Sequence, residues 1–600
     1  NKQGLLVKNI VLGTSLVDMY AKCGVLSKAQ EVFDKLPIRN AISWNVLIAG
    51  YAQYGFSEEA LTCFSRMKKE GFSPNAATFA CILKACGKLE LLEMGEQIHV
   101  KLSKDGLLEN NITLGNALVD MYAKCGMLVK ARKVFNDLPK RDVISWNALI
   151  SGYVQHGLGD EALSCFVRMQ AADFEPDAIT FSCILKACGN TGAVDKGEEI
   201  HAEVRKRGLI TNNPVIGNAV VDMYAKCDML LKAQQVFDEL PTPNIVSWNA
   251  MISGYVQNGS SRQALDCFAR MRDNDISPNE VTFTCILKAC GNLRVVQKGE
   301  EIYAELQKQR LLERNNMLGN ALLGMYVKCG EIEKAQEVFD KLPVQDVVSW
   351  TTLITGYADH GLCAEALDCF SSMLDEGLLP DAVTHACILK VCGNIGLIHK
   401  GEEIHMEVKK HGLLRKDIVL GTALVDMYAK CGSLSKAREV FNELPLHDAV
   451  AWNSLIAAYA QLGYVGRAFV SFNNMITEGI MPDMVTFVVL LTACSHSGLV
   501  EEGQFYYHAM TMFYRFIPTR EHHTCMVDLF GRAGHLEKAA IVGENVPPAD
   551  RVCVLSVLLG ACQKWVNIDL GRWAFENLVQ LDENNVGALV CMSNMYSMHE

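Results

Sequence analysis

Between positions 41 and 75 the apolar residues Trp44, Leu47, Ile48 and Tyr51 fall three and four apart, the spacing of one helix face. Gly55 breaks the run, Ala60, Phe64 and Met67 resume it, and Gly71 and Pro74 stop it. The segment therefore predicts a helix, a turn and a second helix. The pattern returns: Trp44, Trp146, Trp248, Trp350 and Trp452 stand 102 residues apart, as do Cys23, Cys125, Cys227, Cys329 and Cys431, and Cys86, Cys188, Cys290, Cys392 and Cys494. Each 102-residue block divides into units of 31, 35 and 36 residues, which in the first block are Ile10–Asn40, Ala41–Asn75 and Ala76–Asn111. A hairpin of this size cannot bury its apolar face alone, so neighbours must stack. The expected fold is all-α, an α-solenoid superhelix of helix-turn-helix repeats with a concave groove. Its expected organisation is the end of a cut-off long repeat at 1–9, five triplets over 10–519, a final short repeat at 520–550 and a less regular, truncated region at 551–600.

Two columns of small polar residues interrupt the apolar pattern. The fifth residues of the 31- and 35-residue units are Thr14, Asn45, Asn116, Asn147, Asn218, Asn249, Asn320, Thr351, Thr422 and Asn453. The final residues of the same units are Asn40, Asn75, Asp142, Asp177, Asn244, Asn279, Asp346, Asp381, Asp448 and Asp483. Identity that is restricted yet variable suits a reading head better than core packing. Ionised Asp only accepts hydrogen bonds, whereas Asn both donates and accepts. A period of about 34 also fits tetratricopeptide arrays, which bind proteins; in such a scaffold these columns would tolerate alanine.

The motifs NALVDMYAKCG (Asn116–Gly126), SWNALISGY (Ser145–Tyr153) and CILKACG (Cys183–Gly189) resemble the pentatricopeptide repeat family. The likeness is to its plant PLS subclass of alternating short, standard and long repeats, and it covers essentially the whole chain. The region beyond Asp550 resembles the extended, E-type motifs of plant organelle RNA-editing factors. This resemblance implies a single-stranded organelle RNA as partner, read one base per repeat. In the family, Asn at the fifth position goes with pyrimidines and Thr with purines. The implied target, 5′ to 3′, is A, C, n, U, U, n, C, C, n, U, G, n, G, U, n, with n under each long repeat, and Thr524 with Asp550 would add G. The long repeats stay blank because their fifth residues, Ala80, Ser182, Thr284, Ala386 and Val488, drift from polar to apolar.

By the same resemblance, second-position residues such as Val11, Ile144, Val246, Val348 and Val450 would sandwich each base; ordinary core is the alternative. Lys22, Lys124, Lys226, Lys328, Lys430 and Arg532 recur eight residues after a code position. They would meet phosphates or serve as exposed helix-end cations. The resemblance further implies a mitochondrial or chloroplast location, the former preferred, and a C-to-U editing site as target. It also implies a deaminase or editing cofactor protein recruited through the C-terminal motifs, or a DYW-type deaminase missing from the C-terminus. Stabilising, splicing or translating an organelle transcript remains the alternative task.

Composition narrows the classes. The chain is 50% hydrophobic and 21% charged, too apolar for disorder. Its net charge of −12 argues against coating nucleic acid through bulk positive charge, though not against a local groove. No long apolar run suggests a membrane partner. The 23 cysteines include no CxxC spacing, so they read as small buried hydrophobes, with no metal or cofactor expected. His201-Ala202-Glu203 and His405-Met406-Glu407 match half of the zinc deaminase signature, yet no P-C-x-x-C completes it. His522 and His523 need no chemical role, and no catalytic residue is expected.

Overall fold

A computed structural model of the chain describes residues 10–36, 38–109, 111–415, 417–547, 550–581 and 585–599. The long-repeat remnant expected at 1–9 lies outside these residues, as do small parts of the regions expected at 520–550 and 551–600. Among the described residues every regular element is helical. The chain divides into two compact units, 1–305 and 306–600. Each is an α-solenoid of helix-turn-helix repeats.

The first repeat unit opens on Ile10–Lys22 and Leu26–Asp34, the second on Ala41–Gln53 and Ser57–Lys69, the third on Ala76–Lys88 and Leu92–Lys104. Local chemistry fixes these starts. Asn40 has an extended backbone, its Oδ1 accepts from Ser43 N at 2.8 Å, and the Ser43 hydroxyl accepts from Asn40 N at 3.1 Å. Such a reciprocal cap satisfies two amides that a helix start otherwise leaves unpaired. Asp142 with Ser145, Asp177 with Thr180, Asn279 with Thr282 and Asp483 with Thr486 repeat it. The polar residue that closes one unit thus begins the next helix. Gly55 and Gly71, at φ 85° and 82°, end the two helices of the second unit in the left-handed region that favours glycine.

In each unit the first helices of successive repeats lie against one another, and each second helix packs on its own first helix and the next. First helices therefore form one continuous layer within each unit. Aromatic pairs join the repeats: Phe33 meets Trp44 edge-on at 4.5 Å between centroids, Phe135 meets Trp146 at 4.6 Å, and Phe441 meets Trp452 at 4.7 Å. Each such pair adds about 0.5–1.5 kcal/mol beyond the area it buries.

The cysteine columns part company. Cys86, Cys188, Cys290, Cys392 and Cys494 are buried as expected. Burial pushes the thiols of Cys86, Cys188 and Cys392 up to about 11 and that of Cys494 to about 12. Cys23 is exposed, and Cys125, Cys227, Cys329 and Cys431 are half-buried, because this column lies where the first helix ends rather than on its packed face.

Candidate functional site

The two polar columns meet within eight of the ten short and standard repeats. Asn116 Nδ2 donates to Asp142 Oδ1 at 3.0 Å, Asn218 to Asn244 Oδ1 at 3.2 Å, Asn249 to Asn279 Oδ1 at 3.0 Å, and Asn453 to Asp483 Oδ1 at 3.0 Å. Asn147 reaches both oxygens of Asp177, at 3.0 and 3.1 Å, and Asn320 both oxygens of Asp346, at 3.1 and 3.3 Å. Two further pairs are bridged by a hydroxyl. Thr78 Oγ1 contacts Asn45 Oδ1 and lies 2.9 Å from Asn75 Oδ1; Thr384 Oγ1 lies 2.6 Å from Thr351 Oγ1 and 2.8 Å from Asp381 Oδ1. The remaining two are not joined: Thr14 Oγ1 is buried without a partner among the described residues, and the Thr422 hydroxyl donates to Ile418 O at 2.9 Å, leaving Asp448 to cap Ala451 N.

In six repeats the third residue of the following helix completes the arrangement, and sequence reasoning missed it. Ser145 Oγ is 2.7 Å from Asn116 Oδ1, Thr180 Oγ1 is 2.6 Å from Asn147 Oδ1, and Thr486 Oγ1 is 2.7 Å from Asn453 Oδ1. The available signal was the spacing Asn/Asp-x-x-Ser/Thr, a helix-start signature. The hydroxyl holds the amide oxygen, so the amide nitrogen turns to the closing residue and commits one of its two hydrogens there. Burial pushes the Asp142 carboxyl up, but hydrogen bonds from the Ser145 backbone and side chain, Asn116 and the Ile144 backbone outweigh it. Asp142 ends below the usual carboxylate range, and Asp346 does likewise. Both are anions at neutral pH.

Beside these pairs the second-position residues stand in the open. Val11 is 74% exposed, Ile144 63%, Val246 56%, Val348 57% and Val450 57%, so ordinary core packing does not account for them. A cavity of about 290 Å³ in the first unit gathers Ile42, Asn45, Asn75, Asp18, Lys22 and Gln53. One of about 340 Å³ in the second is lined by Asp528, Arg532 and Lys564.

The recurring cations are mostly engaged. Lys22 pairs with Asp18 at 2.7 Å, Lys124 with Asp120 at 2.6 Å, Lys226 with Asp222 at 2.7 Å, Lys430 with Asp426 at 2.8 Å and Arg532 with Asp528 at 2.8 Å. Lys328 stands on a helix with Gly324 in place of that aspartate. These are same-helix pairs on a hydrated surface, worth only about 0.3–0.5 kcal/mol each, so an incoming phosphate can compete for the cation.

The last expected pair falls outside this arrangement: Thr524 bonds back to Arg520 O at 2.8 Å and Asp550 makes no side-chain cap bond. In a long repeat, left blank by the code, Thr284 likewise bonds back to Glu280 O at 2.8 Å. His201 and His405 sit in the second helices Val194–Lys206 and Ile398–Lys410, as expected, with Nδ1 2.9 Å from Tyr224 Oη and Tyr428 Oη. Glu203 is paired with Arg207 at 2.7 Å. His522 Nε2 lies 3.0 Å from Met484 O, and His523 Nδ1 lies 3.3 Å from Tyr507 Oη. Among the described residues no group of three His, Cys, Asp or Glu could hold a metal ion, and no helix is long and apolar enough to cross a membrane.

The repeat geometry has counterparts. The profile of the PPR repeat family matches residues 39–88, 141–190, 243–292, 345–394 and 447–496. That of the single PPR repeat matches 14–40, 116–143, 179–209, 218–242, 320–347 and 422–447. The chain belongs to the PPR repeat family. A chloroplastic pentatricopeptide repeat-containing protein of Arabidopsis thaliana is 35% identical to this PPR protein over 589 residues, covering 98% of the chain and 67% of the relative. A mitochondrial one from the same plant is 33% identical over 593 residues, covering 99% and 85%. Among solved structures, the maize pentatricopeptide repeat protein PPR10 is 21% identical, with a TM-score of 0.48 and coverage of 91% of this chain and 84% of that one. PPR10 in complex with an 18-nt psaJ RNA element is 18% identical, with a TM-score of 0.49 and 84% of each chain covered.

Proposed function

We propose that this PPR protein binds one single-stranded RNA by sequence, one base per short or standard repeat. The observation that carries this reading is the recurring pair of fifth and closing residues beside an exposed apolar second residue. The fifth-position Asn has one amide hydrogen to spare, and the closing Asp offers acceptor lone pairs to the imino N–H of uracil or guanine. A closing Asn offers its Nδ2 hydrogens to the ring nitrogen of cytosine or adenine. The exposed Val and Ile side chains supply flat apolar flanks for the base. Lys22, Lys124, Lys226, Lys328, Lys430 and Arg532 exchange their present partners for phosphates, which keeps affinity dependent on salt.

The alternation of 31-, 35- and 36-residue units supports assignment to the PLS subclass, with Arg551 onward as an E-type region. On that basis the RNA is an organelle transcript and the task is to specify a C-to-U editing site, with the deaminase either following Glu600 in the same protein or recruited through the E-type region. Relatives named chloroplastic and mitochondrial support an organelle.

The test is a binding titration at fixed salt with the series implied by the code. Exchanging the U under Asn147 and Asp177, or the G under Thr351 and Asp381, should weaken binding about tenfold each. The double change Thr351→Asn with Asp381→Asn should move preference there toward C. Equal, weak binding to all RNAs would discard base reading and favour a protein-binding scaffold.

A further inference from the structure

Nine of the ten short and standard repeats begin with an apolar residue, and one begins with Asn316. That side chain does something its counterparts cannot. Asn316 Nδ2 donates to Asp346 Oδ2 at 2.5 Å, while Asp346 Oδ1 accepts from Ser349 N at 2.9 Å and Asn320 Nδ2 at 3.1 Å. Both carboxylate oxygens are thus engaged by the protein. In the repeats of Asp142 and Asp483 the side-chain hydrogen bonds all fall on Oδ1, and among the described residues no side chain donates to Oδ2.

The rest of the local network is altered too. The Ser349 hydroxyl donates to Asp346 O at 2.7 Å instead of reaching the fifth-position amide, and Asn320 Oδ1 is buried without a partner among the described residues. Asn316 Oδ1 is buried and unpartnered as well.

We propose that Asn316 is a specificity-determining positioning residue that blunts base selection in the repeat of Asn320 and Asp346. The inference rests on the base-reading function proposed above. An oxygen already accepting one short hydrogen bond accepts a second with less charge and poorer direction. Uracil therefore gains less from its imino N–H here than in the repeat of Asn116 and Asp142, although both carry the same Asn and Asp pair. This position of the target tolerates C in place of U.

The test uses the full chain and three RNAs: the implied series, one with U changed to C under Asn116 and Asp142, and one with the same change under Asn320 and Asp346. The first change should weaken binding about tenfold and the second less than about threefold. Asn316→Ile, which restores the residue found at Ile112, should raise the second loss to about tenfold. The reciprocal Ile112→Asn should shrink the first, and it keeps the proposal falsifiable if Asn316→Ile does not fold. Equal losses at both positions in the unaltered chain overturn this inference while leaving base reading intact. No loss at either position removes base reading itself, and the inference with it.

Discussion

The hydroxyls of Ser145, Thr180, Thr282 and Thr486 each sit 2.6–2.7 Å from the fifth-position amide oxygen of the repeat before. Each also takes part in the cap of its own helix, so one side chain joins helix initiation to amide orientation. Thr180→Val keeps the volume and removes the hydroxyl. We expect it to cost about 1 kcal/mol of stability in denaturant titration. We also expect weaker selection of U under Asn147 and Asp177, because the amide no longer has a fixed sense. Unchanged selection with lowered stability would confine the hydroxyl to capping. Block five already shows a partial release: Ala451 replaces the hydroxyl, and Thr422 turns to Ile418 O instead of Asp448. The sequence made the Asn, Thr and Asp columns visible, since each recurs at a fixed place in the unit. It left the hydroxyl's second role hidden, because that role joins residues 29 to 33 apart across two stacked helices.

Close approach of first helices depends on small residues where they cross. A Cβ on Gly254 would lie 2.4 Å from Ala225 Cβ, and one on Gly152 would lie 2.5 Å from Ala123 Cβ. Gly254→Ala gains helix propensity of about 0.8–1 kcal/mol, yet the overlap forces a shift costing about 1–3 kcal/mol. The expected outcome is a lower melting temperature, recovered when Ala225→Gly is added to make room. Failure of the second change to recover stability would show that the crossing is not what limits the first. In block five the equivalent positions are Ala458 and Ala429, both buried, so two alanines are accommodated there. Helix boundaries were legible from Asn/Asp-x-x-Ser/Thr starts and glycine stops. The partial exposure of the Cys23 column was not, because it shares the 102-residue period of the buried column.

Across the molecule, five histidines are held below their ordinary value of 6.5, chiefly by burial: His99, His201, His405, His522 and His523. At His99 and His201, burial outweighs the opposing carboxylates Glu96, Glu198 and Glu239. The unfolded chain therefore takes up protons at a pH where the folded chain does not. Stability from these groups is complete above about 6.5 and falls as pH drops toward their folded values. Thermal melts between pH 7.5 and 5.5 should show this decline. Replacing His99, His201 and His405 by tyrosine, the residue the third block carries at Tyr303, should shrink it; an equal decline in the triple variant would assign the acid sensitivity to other groups.

The sequence by itself determined the period, the all-α hairpin unit, the helix starts and the two columns of polar residues, because each follows from spacing within one unit. Only the tertiary structure decided which of those residues touch, since the bonded partners lie 26 or 30 positions apart and meet through helix stacking. It also decided that the second-position apolar residues face outward, and that Asn316 engages the carboxylate oxygen left open at Asp142. Periodicity places a side chain on a face of its helix. Which lone pair it fills depends on the neighbouring helix, whose distance and angle are set by packing.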